Sequence, residues 1–71
     1  MSEEVVSPLS GKVLKINVKP GDEVDDSTSL LVLESMKMEI DIYPESSGKV
    51  KEIKVKEGDN VEVGQVLAIL E

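Results

Sequence analysis

Apolar residues come in short bursts separated by charged and turn-forming residues. Val13, Ile16 and Val18 are spaced by three and then two, and Val50, Ile53 and Val55 repeat that spacing. Alternation of period two marks a strand with one face inward, and a single break in it at the same place in both bursts is most simply a β-bulge. Leu30 to Leu33 and Val66 to Leu70 are apolar almost throughout, which predicts strands covered on both faces. Turn signals close the bursts: Ser10-Gly11 and Ser47-Gly48 open a run, and Pro20-Gly21-Asp22 and Glu57-Gly58-Asp59 end it. The glycines read as structural, relieving turn or bulge geometry, and Asp22 and Asp59 as acceptors for turn amides. Helices are not expected.

The two sets of bursts are one pattern used twice. Displaced by 37 positions, Ser10-Gly11-Lys12-Val13 falls on Ser47-Gly48-Lys49-Val50, and Ile16, Val18, Lys19, Gly21, Asp22 and Val24 fall on Ile53, Val55, Lys56, Gly58, Asp59 and Val61. Leu30, Leu33 and Glu34 meet Leu67, Leu70 and Glu71. Repeats near 10–34 and 47–71 predict one domain over 1–71 with a pseudo-two-fold axis, since like sequences have like packing requirements. The expected fold is all-β: a flattened barrel or sandwich of two four-stranded antiparallel sheets, each half supplying strands to both.

Composition narrows the function. The chain of 71 residues has no Cys and no His, so neither disulfides nor a Cys/His zinc site can staple it. Val, Leu and Ile dominate its apolar set, with Tyr43 the single aromatic, which again favours strands. A net charge of −7 opposes binding to nucleic acid. No apolar run has membrane-spanning length and the start lacks signal-peptide regions, so the expectation is a cytoplasmic protein, an organellar matrix being compatible with a removed transit peptide. Asp22-Glu23-Val24-Asp25-Asp26 lacks the glycine and final glutamate of a calcium loop, and no metal site is expected. Without His, Cys or a glycine-rich phosphate loop no catalytic constellation can be assembled, and the chain is not expected to be an enzyme.

Between the halves lies Glu34-Ser35-Met36-Lys37-Met38-Glu39. A two-residue hairpin at Met36-Lys37 favours a type I′ turn, whose central residues take positive φ and are normally Asn-Gly. Met and Lys are costly there, and such departures persist mainly where function holds them. By the internal symmetry this loop stands at one end of the domain and the C-terminal residue at the other. On composition alone the methionines could fill gaps in the barrel end and the lysine be an ordinary solvated charge.

The hexapeptide resembles the Ala-Met-Lys-Met signature of biotin carboxyl carrier domains, in the biotinyl/lipoyl attachment family. Its setting between Pro20-Gly21-Asp22-Glu23-Val24 and Glu57-Gly58-Asp59-Asn60-Val61 extends the resemblance over nearly the whole chain. Ser35 stands where the family most often has Ala, and the short Val18 to Val24 segment leaves out the thumb of many acetyl-CoA carboxylase carriers. That resembles the carriers of other biotin carboxylases or free-standing biotin/lipoyl attachment proteins.

The resemblance implies that a biotin protein ligase attaches biotin to Lys37, and that this biotin carries a carboxyl group from a biotin carboxylase to a carboxyltransferase. Met36 and Met38 are then the flanking recognition elements, and Glu34, Ser35 and Glu39 further candidates for recognition. The isolated domain is expected to be monomeric. A lipoyl carrier of a 2-oxoacid dehydrogenase or glycine cleavage system, or a dual attachment protein, shares fold and lysine position, although lipoyl domains usually have Asp before the lysine and a small residue after it. An unmodified barrel serving as an interaction module is a reading of another class.

Overall fold

In the computed structural model, which describes residues 2–71, eight strands account for the regular structure. They are β1 (Glu3–Val6), β2 (Gly11–Ile16), β3 (Glu23–Val24), β4 (Leu31–Ser35), β5 (Met38–Ile42), β6 (Gly48–Ile53), β7 (Asn60–Val61) and β8 (Val66–Leu70). One sheet has the order β1-β8-β6-β3 and the other β5-β4-β2-β7, with every pairing antiparallel. Each half of the chain contributes to both sheets, as the repeat requires. The two-sheet, all-β architecture is the one expected from the sequence.

The symmetry reaches further than the sequence repeat. Glu3 pairs with Leu70 and Val5 with Ala68 in one sheet, while Ile40 pairs with Leu33 and Ile42 with Leu31 in the other. Strands β1 and β5 are therefore structural equivalents, although almost no residue is shared between them. The core follows the same displacement: Val5 and Ile42, Val13 and Val50, Val24 and Val61, Leu30 and Leu67, Leu31 and Ala68, and Leu33 and Leu70 are all buried. Val55 is buried too, and its mate Val18 packs against the cluster.

The expected bulges are present, with pairing shifting between Val13 and Lys15 in β2 and between Val50 and Glu52 in β6. A third irregularity, between Val5 and Val6, leaves Leu67 unpaired with β1. At a bulge two consecutive side chains can turn to one side, and Leu67 and Ala68 are both fully buried. Coverage on both faces does not hold for β4 and β8. Leu31 and Leu33 are buried but Val32 between them is half-buried, and Val66 and Ile69 in β8 are likewise. With only two layers, the outer face of each sheet has nothing to cover it.

The turns between strands repeat as well. Lys19 N–H donates to Asp22 Oδ2 at 3.0 Å and Lys56 N–H to Asp59 Oδ2 at 2.9 Å, so the two aspartates bond turn amides as expected. Their preceding glycines have φ of 97° and 94°, a region that side chains with a Cβ rarely adopt. Gly21 N–H reaches Val50 O at one end of the molecule, and Gly58 N–H reaches Val13 O toward the other.

Candidate functional site

The β4–β5 ladder runs without a shift from Leu31↔Ile42 to Ser35↔Met38, leaving Met36 and Lys37 as the two central residues of the connecting turn. Their φ values are 52° and 66°, the positive pair that a type I′ turn demands and that Asn-Gly would adopt at lower cost. These are the only non-glycine residues with positive φ among those described. The right-handed twist of two strands joined by two residues imposes this conformation whatever the side chains, so the strain falls on Met36 and Lys37.

Strand alternation sorts the neighbours. Leu33 faces inward, so Glu34 faces outward, directly opposite Glu39, and both are exposed. Lys12 on β2 is the register partner of Glu34 on its other side. Ser35 is half-buried, while Met36 is 91% exposed and Met38 64%. Lys37 is exposed and enters no ion pair among the described residues. All six sequence-predicted residues thus lie on one hairpin, with only Ser35 turned partly toward the body of the domain.

Beneath the hairpin, Gly11 marks a close approach of two strands. A Cβ there would stand 2.6 Å from Glu34 O and 3.5 Å from Ser35 Cβ, so absence of a side chain lets β2 support the last residues of β4. A shallow groove of about 580 Å³ follows the same end, lined by residues including Lys12, Glu34, Met36, Asn60 and Glu62. Sequence reading did not single out Lys12, Asn60 or Glu62 as neighbours of the hairpin. They arrive through the β2–β7 pairing of Gly11 with Val61 and Lys12 with Asn60, a contact between distant parts of the chain. The Asn60-Val61-Glu62 position after the second Gly-Asp turn was the available signal.

The groove at this end is open, and among the described residues of the hairpin only Ser35, half-buried, turns a polar side chain partly inward. This end has an amine on a rigid, strained tip beside an open, acidic margin. Such a tip can present an attachment point to a larger partner's active site; covalent attachment through Lys37 Nζ needs an exposed amine, which is what the turn supplies.

Comparison with known proteins agrees with that geometry. A family model described as "Biotin-requiring enzyme" matches residues 1–70. Over 41 residues, 58% of the chain, the sequence is 51% identical to the glutaconyl-CoA decarboxylase subunit gamma of Acidaminococcus fermentans, of which the match covers 28%. Over 36 residues, 51% of the chain, it is 56% identical to the methylmalonyl-CoA carboxyltransferase 1.3S subunit of Propionibacterium freudenreichii subsp. shermanii, of which the match covers 29%. The urea carboxylase structure from Kluyveromyces lactis superposes with a TM-score of 0.94 at 32% identity, over 100% of this chain and 6% of that one. The chain spans less than a third of each of these relatives.

Proposed function

Because the chain belongs to the biotin-requiring enzyme family, through its match over residues 1–70, we propose that it is a carrier domain whose Lys37 accepts biotin and serves a biotin-dependent carboxylase or carboxyltransferase. The observation that carries the proposal is the type I′ turn that holds Lys37 exposed at the hairpin tip, in positive φ, with a methionine on either side. The named relatives favour biotin over lipoate, as do the two methionines.

The chain contributes address and reach. Strands β4 and β5 hold the turn, and the turn leaves Lys37 exposed. In the attachment step the deprotonated Lys37 amine attacks the acyl carbonyl of a biotinyl adenylate made by a biotin protein ligase. The N–C bond forms, the bond to phosphate breaks, AMP leaves and the amine loses its proton. Bound biotin supplies a ureido nitrogen that holds a carboxyl group in transit. Tethering turns each visit to a partner site into an effectively intramolecular encounter, while the domain itself, a monomer, performs no chemistry beyond presentation.

Intact mass after incubation with biotin protein ligase, ATP and biotin tests the assignment. One biotinyl group is expected on the wild type and none on Lys37→Ala or Lys37→Arg. No addition to the wild type, with a ligase active on a control acceptor, would overturn it; addition by a lipoate ligase instead would reassign the carrier to lipoate.

A further inference from the structure

The two methionines beside Lys37 are exposed. Met36 is 91% and Met38 64% exposed, whereas the core consists of Val, Leu, Ile and Ala. No cysteine is present to react in their place, and the third methionine, Met1, lies outside the described residues. The Ser35↔Met38 pair closes the turn and holds the Met36 backbone in positive φ, with the residue 91% exposed. Apolar thioethers left in water on both sides of a modification site are positioned to be covered when a partner closes over the lysine.

We propose that Met36 and Met38 form a reversible oxidation site at which a peroxide, by converting the thioethers to sulfoxides, withdraws the Lys37 turn from its modifying enzyme. The inference rests on the carrier reading given above. In the reaction the methionine sulfur attacks one peroxide oxygen, an S–O bond forms, the O–O bond breaks, and hydrogen peroxide leaves as water; sulfur is oxidised and peroxide reduced. The product is a strong dipole where the partner meets an apolar surface, and covering it without a hydrogen-bond donor is unfavourable. Because neither sulfur is in the core, oxidation leaves the fold intact, so the effect is confined to recognition. Methionine sulfoxide reductases, one for each epimer, restore the thioethers.

The test compares ligase-catalysed biotinylation of the intact chain before and after hydrogen peroxide, with peptide mapping to locate the added oxygens. Untreated wild type must accept biotin; if it does not, the carrier reading fails and is distinguished at this step from the present proposal. After treatment, oxygen is expected on Met36 and Met38, with unchanged circular dichroism and biotinylation slower by about ten-fold or more. A Met36→Leu, Met38→Leu variant, which keeps volume and apolarity, is expected to biotinylate at the same rate with and without peroxide. Incubation of the oxidised wild type with both sulfoxide reductases is expected to restore its rate. An oxidised chain biotinylated as fast as the untreated one would overturn the proposal, as would peroxide resistance of both sulfurs or an equal loss in the leucine variant.

Discussion

Gly11 and Glu34 approach so closely that a Cβ on the glycine would lie 2.6 Å from the glutamate's carbonyl oxygen, nearer than real Cβ contacts. The contact recurs at the other end of the molecule, where a Cβ on Gly48 would lie 2.9 Å from Glu71 O. Both are approaches against backbone, which cannot swing aside as a side-chain tip can: Glu34 lies in β4, and Glu71, just after β8, exchanges two backbone hydrogen bonds with Lys49.

Gly11→Ala is therefore expected to force β2 and β4 apart and destabilise the domain by about 1–3 kcal/mol, the range for overpacking. Gly48→Ala brings its Cβ to 2.9 Å from Glu71 O, a less severe approach than the 2.6 Å at Gly11, and is expected to cost less. Urea unfolding midpoints of both variants measure the difference; equal losses would show that the closeness of approach does not set the cost.

Replacing Met36-Lys37 by Asn-Gly fits the turn with residues that accept positive φ. Relief of about 1 kcal/mol or more is expected for each residue, and a domain of this size gains about 4–8 °C in Tm per kcal/mol. Thermal unfolding checks the gain, and intact mass after ligase treatment is expected to show that attachment is lost with it. An unchanged Tm would mean that the observed turn costs nothing.

Leu30 and Leu67 are fully buried at equivalent positions of the two halves. Each truncation to Ala is expected to cost about 2–5 kcal/mol. Since their surroundings are related by the pseudo-two-fold axis, the two losses should agree within about 1 kcal/mol, less than the spread of about 2 kcal/mol that context produces at fixed chemistry. Chemical denaturation of the two variants gives the comparison, and a larger gap would place the symmetry in the backbone alone.

Asp25 is held below the ordinary carboxylate range by hydrogen bonds from the Ser27 hydroxyl, the Ser27 amide and the Thr28 hydroxyl. A carboxyl group whose pKa is depressed by folding stabilises the native state above its unfolded value, and that stabilisation disappears as pH falls through the folded value. Wild type is therefore expected to be more stable than Asp25→Asn at about pH 7, with the difference shrinking toward about pH 3. Unfolding of both proteins at several pH values measures it. A difference independent of pH would assign the effect to geometry rather than ionisation.

The repeat made the larger features legible. A matching break in alternation located both bulges, and the shared Gly-Asp turns announced two strands on either side of each. The type I′ turn could be inferred from the spacing between Leu33 and Ile40 even though Met36-Lys37 is not turn chemistry. The equivalence of β1 with β5 was hidden because Glu3 occupies the place of Ile40 and Ser7 that of Pro44. Different residues solve the same position there: the Glu3 carboxylate accepts from Glu45 N–H and Ser46 Oγ, whereas Ile40 packs on the core. Glu62 and Asn60 escaped notice for a simpler reason, since their nearness to the hairpin depends on a sheet register between residues far apart in sequence.

Glu3 and Leu70 pair at one pole as Ile40 and Leu33 pair at the other. In topological terms the two poles carry the same strand pairing. What makes the two poles different is not architecture but a two-residue turn, so the direction in which the domain points its arm is carried by the smallest element it contains.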